Sequence, residues 1–315
     1  VAMTKFDGTL WSWGYNYRGS LGQNSTVQYS SPVQIPGTTW DKSYPGHGYM
    51  AATKTDGTLW AWGGNDQGQL GQNSSASPGN HGLSSPVQIP GTWSDFDTSQ
   101  STSFGIKTDG TLWVWGYNSN GVLGQGSWDT AFSSPTQIPG TTWKYVRQSF
   151  YTVTAIKTDG TLWGWGNNSQ GQLGLNTALT SNLSPLQMPG TTWEIGKRKF
   201  SAGDFVTYAI KTDGTLWAMG RNTYGGLGQN NRTSYSSPVQ IPGTTWETTS
   251  ASYEYGAYFV KTDGTAWGIG QNSYWSGGFP LNAPSIQYSS PVQIPGTTWK
   301  YLQGSRRNGF GVKEV

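Results

Sequence analysis

Six Asp-Gly pairs begin at Asp7, Asp56, Asp109, Asp159, Asp213 and Asp263, so they divide the 315-residue chain at spacings of 49, 53, 50, 54 and 50 residues. Each sits in nearly the same words, such as "KTDGTLWAWG" from Lys54 to Gly63. A near-fixed period of about fifty means that one supersecondary unit is written again and again, and that it buries its faces against its neighbours. Asp-Gly between short apolar runs is a two-residue hairpin signal, because a type I′ turn needs positive φ at both central positions. In the strand that follows, Thr58, Trp60 and Trp62 point one way and Leu59 and Ala61 the other. Both faces are apolar, which predicts a strand packed on both sides by other sheets.

Each copy then continues along one script. A Gly and an Asn, as in Gly63 and Asn65, lead into a glycine loop, "GQLG" at Gly68 to Gly71. After a variable insert comes "SSPVQIPGTTW", whose Pro-Gly pair suits a type II turn. The second copy is one Thr shorter, and the fourth reads "LSPLQMPGTTW" at Leu183 to Trp193. Three or four strand signals per unit without helical periodicity predict an all-β chain. The expected form is a β-propeller of six repeats with four-stranded antiparallel blades, one domain over residues 1–315. An open β-solenoid is the rival, with repeats that are usually shorter.

The stretch "DGTLWAWGGNDQGQLGQ", Asp56 to Gln72, resembles the repeat of the regulator of chromosome condensation family, and the resemblance covers essentially the whole chain. It implies a propeller of about seven four-stranded blades. It also implies work as a guanine-nucleotide exchange factor, a protein inhibitor or an interaction scaffold. The family's Gly-x-x-His-Thr corner is approached only by "PGHGYMAATK", with His47. Near-verbatim repetition looks more like bacterial or phage members than the eukaryotic exchange factor.

Composition narrows the function classes. Only 34% of residues are hydrophobic, while Gly reaches 46 and Trp 18, so tryptophan supplies much of the buried area. Ten of the Trp lie in the "LW-W" strands and six close the "GT(T)W" words, which leaves Trp128 and Trp275 outside the script. No apolar run is long enough to span a membrane. The chain opens inside a strand without a signal peptide, which reads as a processed or truncated product. Without cysteine there are no disulfides or thiolate metal sites.

Net charge is +3, and seven of the 19 Lys and Arg are repeated scaffold lysines. Nucleic-acid binding would need a concentrated basic stripe, and the nearest candidates are "GKRKF" with Lys197 to Lys199, and Arg306 with Arg307. These read as solvated loop charges, so no nucleic-acid partner is expected. His47 and His81 lie in different repeats without metal-ligand spacing, and the six turn Asp are explained by turn chemistry. The "GQLG" glycines precede no helix that could receive a phosphate. Four Asn-x-Ser/Thr sequons, at Asn24, Asn73, Asn182 and Asn231, read as turn residues unless the source is eukaryotic and secretory. No cofactor, metal or catalytic residue is expected.

Function should therefore lie where the script is broken: the insert after each glycine loop, and the segment between the closing Trp and the next Lys. That segment spans 14 residues in four copies, 18 in the fourth and 15 in the fifth. Strand parity predicts that both lie at one end of the sheets, opposite the Asp-Gly and Pro-Gly turns. Tyr, Trp and Arg anchor interfaces, so the candidate binding residues are Trp128, Tyr151, Lys197, Arg198, Tyr274, Trp275 and Phe279. In the sixth loop Trp275 stands where other copies have glycine, which predicts a different path and an aromatic patch. The expected function is a non-enzymatic module that recognises a protein or cell-surface glycan, in an extracellular, virion or cell-surface setting. The alternatives are a propeller lyase or glycosidase using a central pocket, and an exchange-factor-like protein.

The strand before the hairpin is written seven times, since "VAMTK" at Val1 to Lys5 and "FGVKEV" at Phe310 to Val315 are both copies. Six four-stranded blades leave one of them surplus. The expectation is that "FGVKEV" pairs beside "TLWSW" and displaces Val1 to Lys5, leaving a strand free for self-association.

Overall fold

The computed structural model describes residues 1–75, 82–128, 130–178, 181–251, 256–272, 286–304 and 309–313. Among them there is no α-helix, and 25 strands form seven antiparallel sheets. A complete sheet runs from a closing-Trp strand through an approach strand and a tryptophan strand to an outer strand. In the second sheet these are Trp40–Pro45, Tyr49–Lys54, Leu59–Gly63 and Leu83–Ile89. The third to sixth sheets repeat that order, with tryptophan strands Leu112–Gly116, Leu162–Gly166, Leu216–Gly220 and Ala266–Asn272, except that the first strand of the fifth sheet is Phe200–Ala202 and its closing Trp193 makes only an isolated bridge to Lys211. The chain forms two compact units: residues 1–119 with 125–146, and residues 120–124 with 147–315.

The terminal strands depart from expectation. Ala2–Thr4 pairs with Thr9–Gly14 in a three-stranded first sheet, with Met3 opposite Trp11. "FGVKEV" does not enter that sheet: Gly309–Lys313 pairs with Trp299–Gly304 in a two-stranded seventh sheet. The reason is loop closure. The Asp7-Gly8 hairpin delivers Ala2–Thr4 to its partner across a three-residue loop, whereas the C-terminal copy would have to return over about 300 residues. Neither strand is surplus, and six repeats yield seven sheets.

The hairpin turn also differs in detail. Only the glycine takes positive φ, between 76° and 81° in all six turns, and the aspartate does not. In the first turn Gly8 N–H donates to the Lys5 carbonyl, and Lys5 N–H to that of Thr9. This is a type I turn followed by a glycine bulge, so Asp7 stands before the bulge with its carboxylate free to cap. It accepts from the Thr9 backbone N–H at 2.9 Å and from the Thr9 hydroxyl at 2.6 Å. The Thr9 oxygen in turn accepts the Trp11 indole N–H at 2.9 Å, and Lys5 Nζ lies 4.3 Å from the Trp11 ring. The same relay recurs at the other five turns.

Those hydrogen bonds, chiefly from the threonine, hold the turn carboxyls below the usual carboxylate range. A folded-state pKa below the unfolded one contributes stability above the unfolded pKa, and that stability is lost as pH falls through the folded value. Six equivalent groups act in the same direction. Thermal scans should show a Tm that is flat from neutrality down to about pH 5 and falls below about pH 4. Asp109→Asn should make that acid fall shallower; an unchanged profile would show that other carboxylates govern it.

The glycine loops clasp neighbouring sheets. A Cβ at Gly19 would stand 2.7 Å from Ser84 Cα, one at Gly68 2.5 Å from Ser133 Cα, and one at Gly171 2.6 Å from Ser236 Cα. Each loop thus lies directly on the outer strand of the next sheet, in positive φ that only glycine takes at low cost. The second Trp of the next tryptophan strand completes the joint. Trp62 donates its indole N–H to Ser20 O, Trp115 to Gln69 O and Trp165 to Val122 O. The Asn that opens each loop is buried at Asn16, Asn65, Asn168 and Asn222, where Oδ1 accepts the backbone N–H of the loop leucine. The "GQLG" word is therefore an inter-sheet joint made of backbone and small residues.

Candidate recognition surface

Hydrogen bonds fix the ends of the sheets. In the first unit Trp40 N–H donates to Gly8 O and Trp93 N–H to Gly57 O, so the Pro-Gly link and the Asp-Gly turn share one end. In the second unit Trp193, Trp246 and Trp299 N–H donate to Gly160, Gly214 and Gly264 O in the same way. At the other end, the first residue of each glycine loop meets the corner between the closing-Trp and approach strands. Gly64 donates to Gly48 O and Tyr117 to Ser101 O in the first unit; Asn167 donates to Tyr151 O and Arg221 to Phe205 O in the second.

In the first unit the loop end carries Tyr15 (66% exposed), Tyr17, Tyr117 and Trp128 (47% exposed). Tyr15 and Tyr17 have ring centroids 4.9 Å apart, and the Arg18 guanidinium lies 5.1 Å from the Tyr17 ring and pairs with Asp66. In the second unit Tyr151 is half-buried with its ring centroid 5.6 Å from that of Phe150. Arg221 there lies between Phe205 and Tyr224, at 5.4 and 5.7 Å from their ring centroids. Sequence reasoning missed Tyr15, Tyr17, Arg18 and Arg221, because it counted the residues around the loop Asn as script. The available signal was "GYNYRG", which puts two tyrosines and an arginine where the second copy has "GGNDQG".

Lys197 and Arg198 are not at this end. The four extra residues of the fourth copy are spent before the strand begins, at Phe200–Ala202. Glu194 N–H donates to Ile210 O and Ile210 N–H to Lys199 O, so the residues between them bulge out opposite the last residue of the approach strand. That places Lys197 and Arg198 beside Asp263 and Gly264, at the Asp-Gly end, which corrects the expectation that all variation gathers at the loops. Tyr274, Trp275, Phe279, His81, Arg306 and Arg307 lie outside the described residues. Among the described residues no three His, Asp or Glu come together to hold a metal, and no helix is long and apolar enough to cross a membrane.

A model of the regulator of chromosome condensation repeat matches residues 7–41, 56–99, 109–150, 159–210 and 213–255, and a second model of the same repeat matches 198–225. No curated protein matches in sequence. Among solved structures, human WBSCR16 is 19% identical with a TM-score of 0.82, over 100% of this chain and 83% of that one. Prp20p of Saccharomyces cerevisiae, described with its binding to Gsp1p and histones, is 17% identical with a TM-score of 0.77, over 100% and 80%. Yeast RCC1 (Prp20) bound to Kap60 is 18% identical with a TM-score of 0.78, over 100% and 78%. With repeat matches in five consecutive copies, each beginning at the Asp of an Asp-Gly turn and running on through the glycine loop described above, the chain belongs to the regulator of chromosome condensation repeat family of β-propellers.

Proposed function

We propose that this chain is a non-enzymatic recognition module that binds a protein or surface glycan through the loop end of its sheets. The observation that carries this reading is chemical asymmetry. The Asp-Gly end repeats one closed Asp–Thr–Trp relay, while the loop end differs in every copy and exposes Tyr15, Tyr17, Tyr117 and Trp128. Exposed aromatics beside arginine, on loops held by a rigid scaffold, are what protein interfaces use. The partners described for the structural relatives, Gsp1p, histones and Kap60, are proteins, which favours a protein ligand. The setting we propose is a cell surface or virion.

A glycan array and a pull-down from candidate cell envelopes would find the partner. Against that partner, Trp128→Ala and Tyr15→Ala should each weaken binding about tenfold, as for a moderate interface anchor, with Tm unchanged. Binding that survives both substitutions together with Tyr17→Ala would overturn the reading.

A further inference from the structure

The second unit holds an open cleft of about 730 Å³ at the Asp-Gly end, away from the loop surface. Lys197, Arg198 and Lys199 form one wall and Lys261 and Lys300 another, against Glu247 and Asp263. Both acids are already engaged: Glu247 pairs with Lys199 at 3.0 Å, and Asp263 accepts from Thr265 within its own turn. Five basic residues against two acids leave the described lining net positive.

The basic wall is held in place. Arg147 donates from Nε and Nη2 to the Lys197 carbonyl at 3.2 and 2.8 Å, and Thr249 N–H donates to that of Arg198 at 2.8 Å. The Arg198 guanidinium is stacked 3.7 Å from the Tyr301 ring centroid, which fixes its plane. A cationic segment ordered before binding loses less entropy when an anion arrives. The remaining lining is small and hydroxylated, with Thr248, Thr262 and Thr298, together with Trp299. Trp299 is half-buried, whereas its counterparts Trp40, Trp93, Trp143, Trp193 and Trp246 are buried.

We propose that this cleft binds an acidic oligosaccharide bearing carboxylate or sulfate groups, by a surface independent of the loop end. The planar Arg198 matches a carboxylate or sulfate. The lysines spread along the cleft suit several anions in a row, and the threonine hydroxyls suit sugar hydroxyls. An acidic peptide would share the charge but would gain little from that hydroxylated lining.

The test is calorimetric titration of the full chain with a sulfated hexasaccharide, an oligogalacturonate, a neutral oligosaccharide of equal length and a polyglutamate peptide. One or both acidic sugars should bind, more weakly as salt rises, and the neutral sugar should not. Lys197→Glu with Lys300→Glu should weaken binding at least about tenfold. Arg198→Ala should weaken it, while Lys42→Glu, an exposed reversal in the first unit, should leave it unchanged. Three results would each overturn the proposal: equal binding of the neutral sugar, tighter binding of polyglutamate than of either acidic sugar, or indifference to the Lys197 and Lys300 reversals.

Discussion

Gly68→Ala should destabilise the protein by about 3 kcal/mol or more, although it adds only a single methyl group. Two costs combine. Gly68 has φ of 76°, a conformation that costs an alanine about 1 kcal/mol or more. Its new Cβ would also stand 2.5 Å from Ser133 Cα and 3.1 Å from Phe132 O, both backbone atoms of the next sheet. No rotamer change relieves that overlap, so the sheets must part. Parting them would strain the Asn73 N–H to Ser133 O bond of 2.8 Å and the joint beneath it. Chemical denaturation should show a lower midpoint with Gly68→Ala. Gly57→Ala separates the two costs, because its φ of 81° is similar but the nearest atom to its Cβ is 3.7 Å away. If both variants lose the same stability, the inter-sheet contact contributes nothing and only backbone strain is at work.

Much of this architecture was legible because the repeat repeats its chemistry. An Asp-Gly pair marks a tight hairpin, two tryptophans one residue apart a buried strand and a Pro-Gly pair a turn, and six copies remove chance. The features that were not legible depend on contacts between sheets. "GQLG" reads only as a glycine loop until Ser133 is seen lying on Gly68. The aspartate's place before the glycine bulge, and not inside a type I′ turn, is set by its bond to Thr9, which spacing alone does not reveal. The position of Lys197 and Arg198 was misread for a related reason. An insertion of four residues can be spent at either end of a strand, and here the extra turn precedes Phe200, where Arg147 and Thr249 tie it down from neighbouring strands. The candidate site was legible only as a region. Trp128 stood out by being off-script, while Tyr15, Tyr17 and Arg18 were hidden around an Asn that every copy repeats.

Trp115→Ala should cost about 3 to 5 kcal/mol, the range for truncating a fully buried aromatic. Trp115 is wholly buried, its ring centroid 5.7 Å from those of Trp93 and Phe96. It also closes a joint between sheets, since its indole N–H reaches Gln69 O at 2.9 Å in the preceding glycine loop, and a Cβ on Gly71 would stand 2.9 Å from its Nε1. Packing should outweigh the hydrogen bond here. Gln69 O keeps a second donor, the Ser103 hydroxyl at 3.0 Å, so losing the indole leaves no unpaired carbonyl. The fifth and sixth sheets supply the natural comparison. They carry Met219 and Ile269 at this position, and both are fully buried there. Trp115→Met should therefore recover part of the loss, because a flexible thioether fills an irregular gap that alanine leaves empty. Denaturation midpoints should rank wild type, then Trp115→Met, then Trp115→Ala. Equal losses for Met and Ala would assign the effect to the indole hydrogen bond, and would mean that the joint is held by polar contact and not by packed volume.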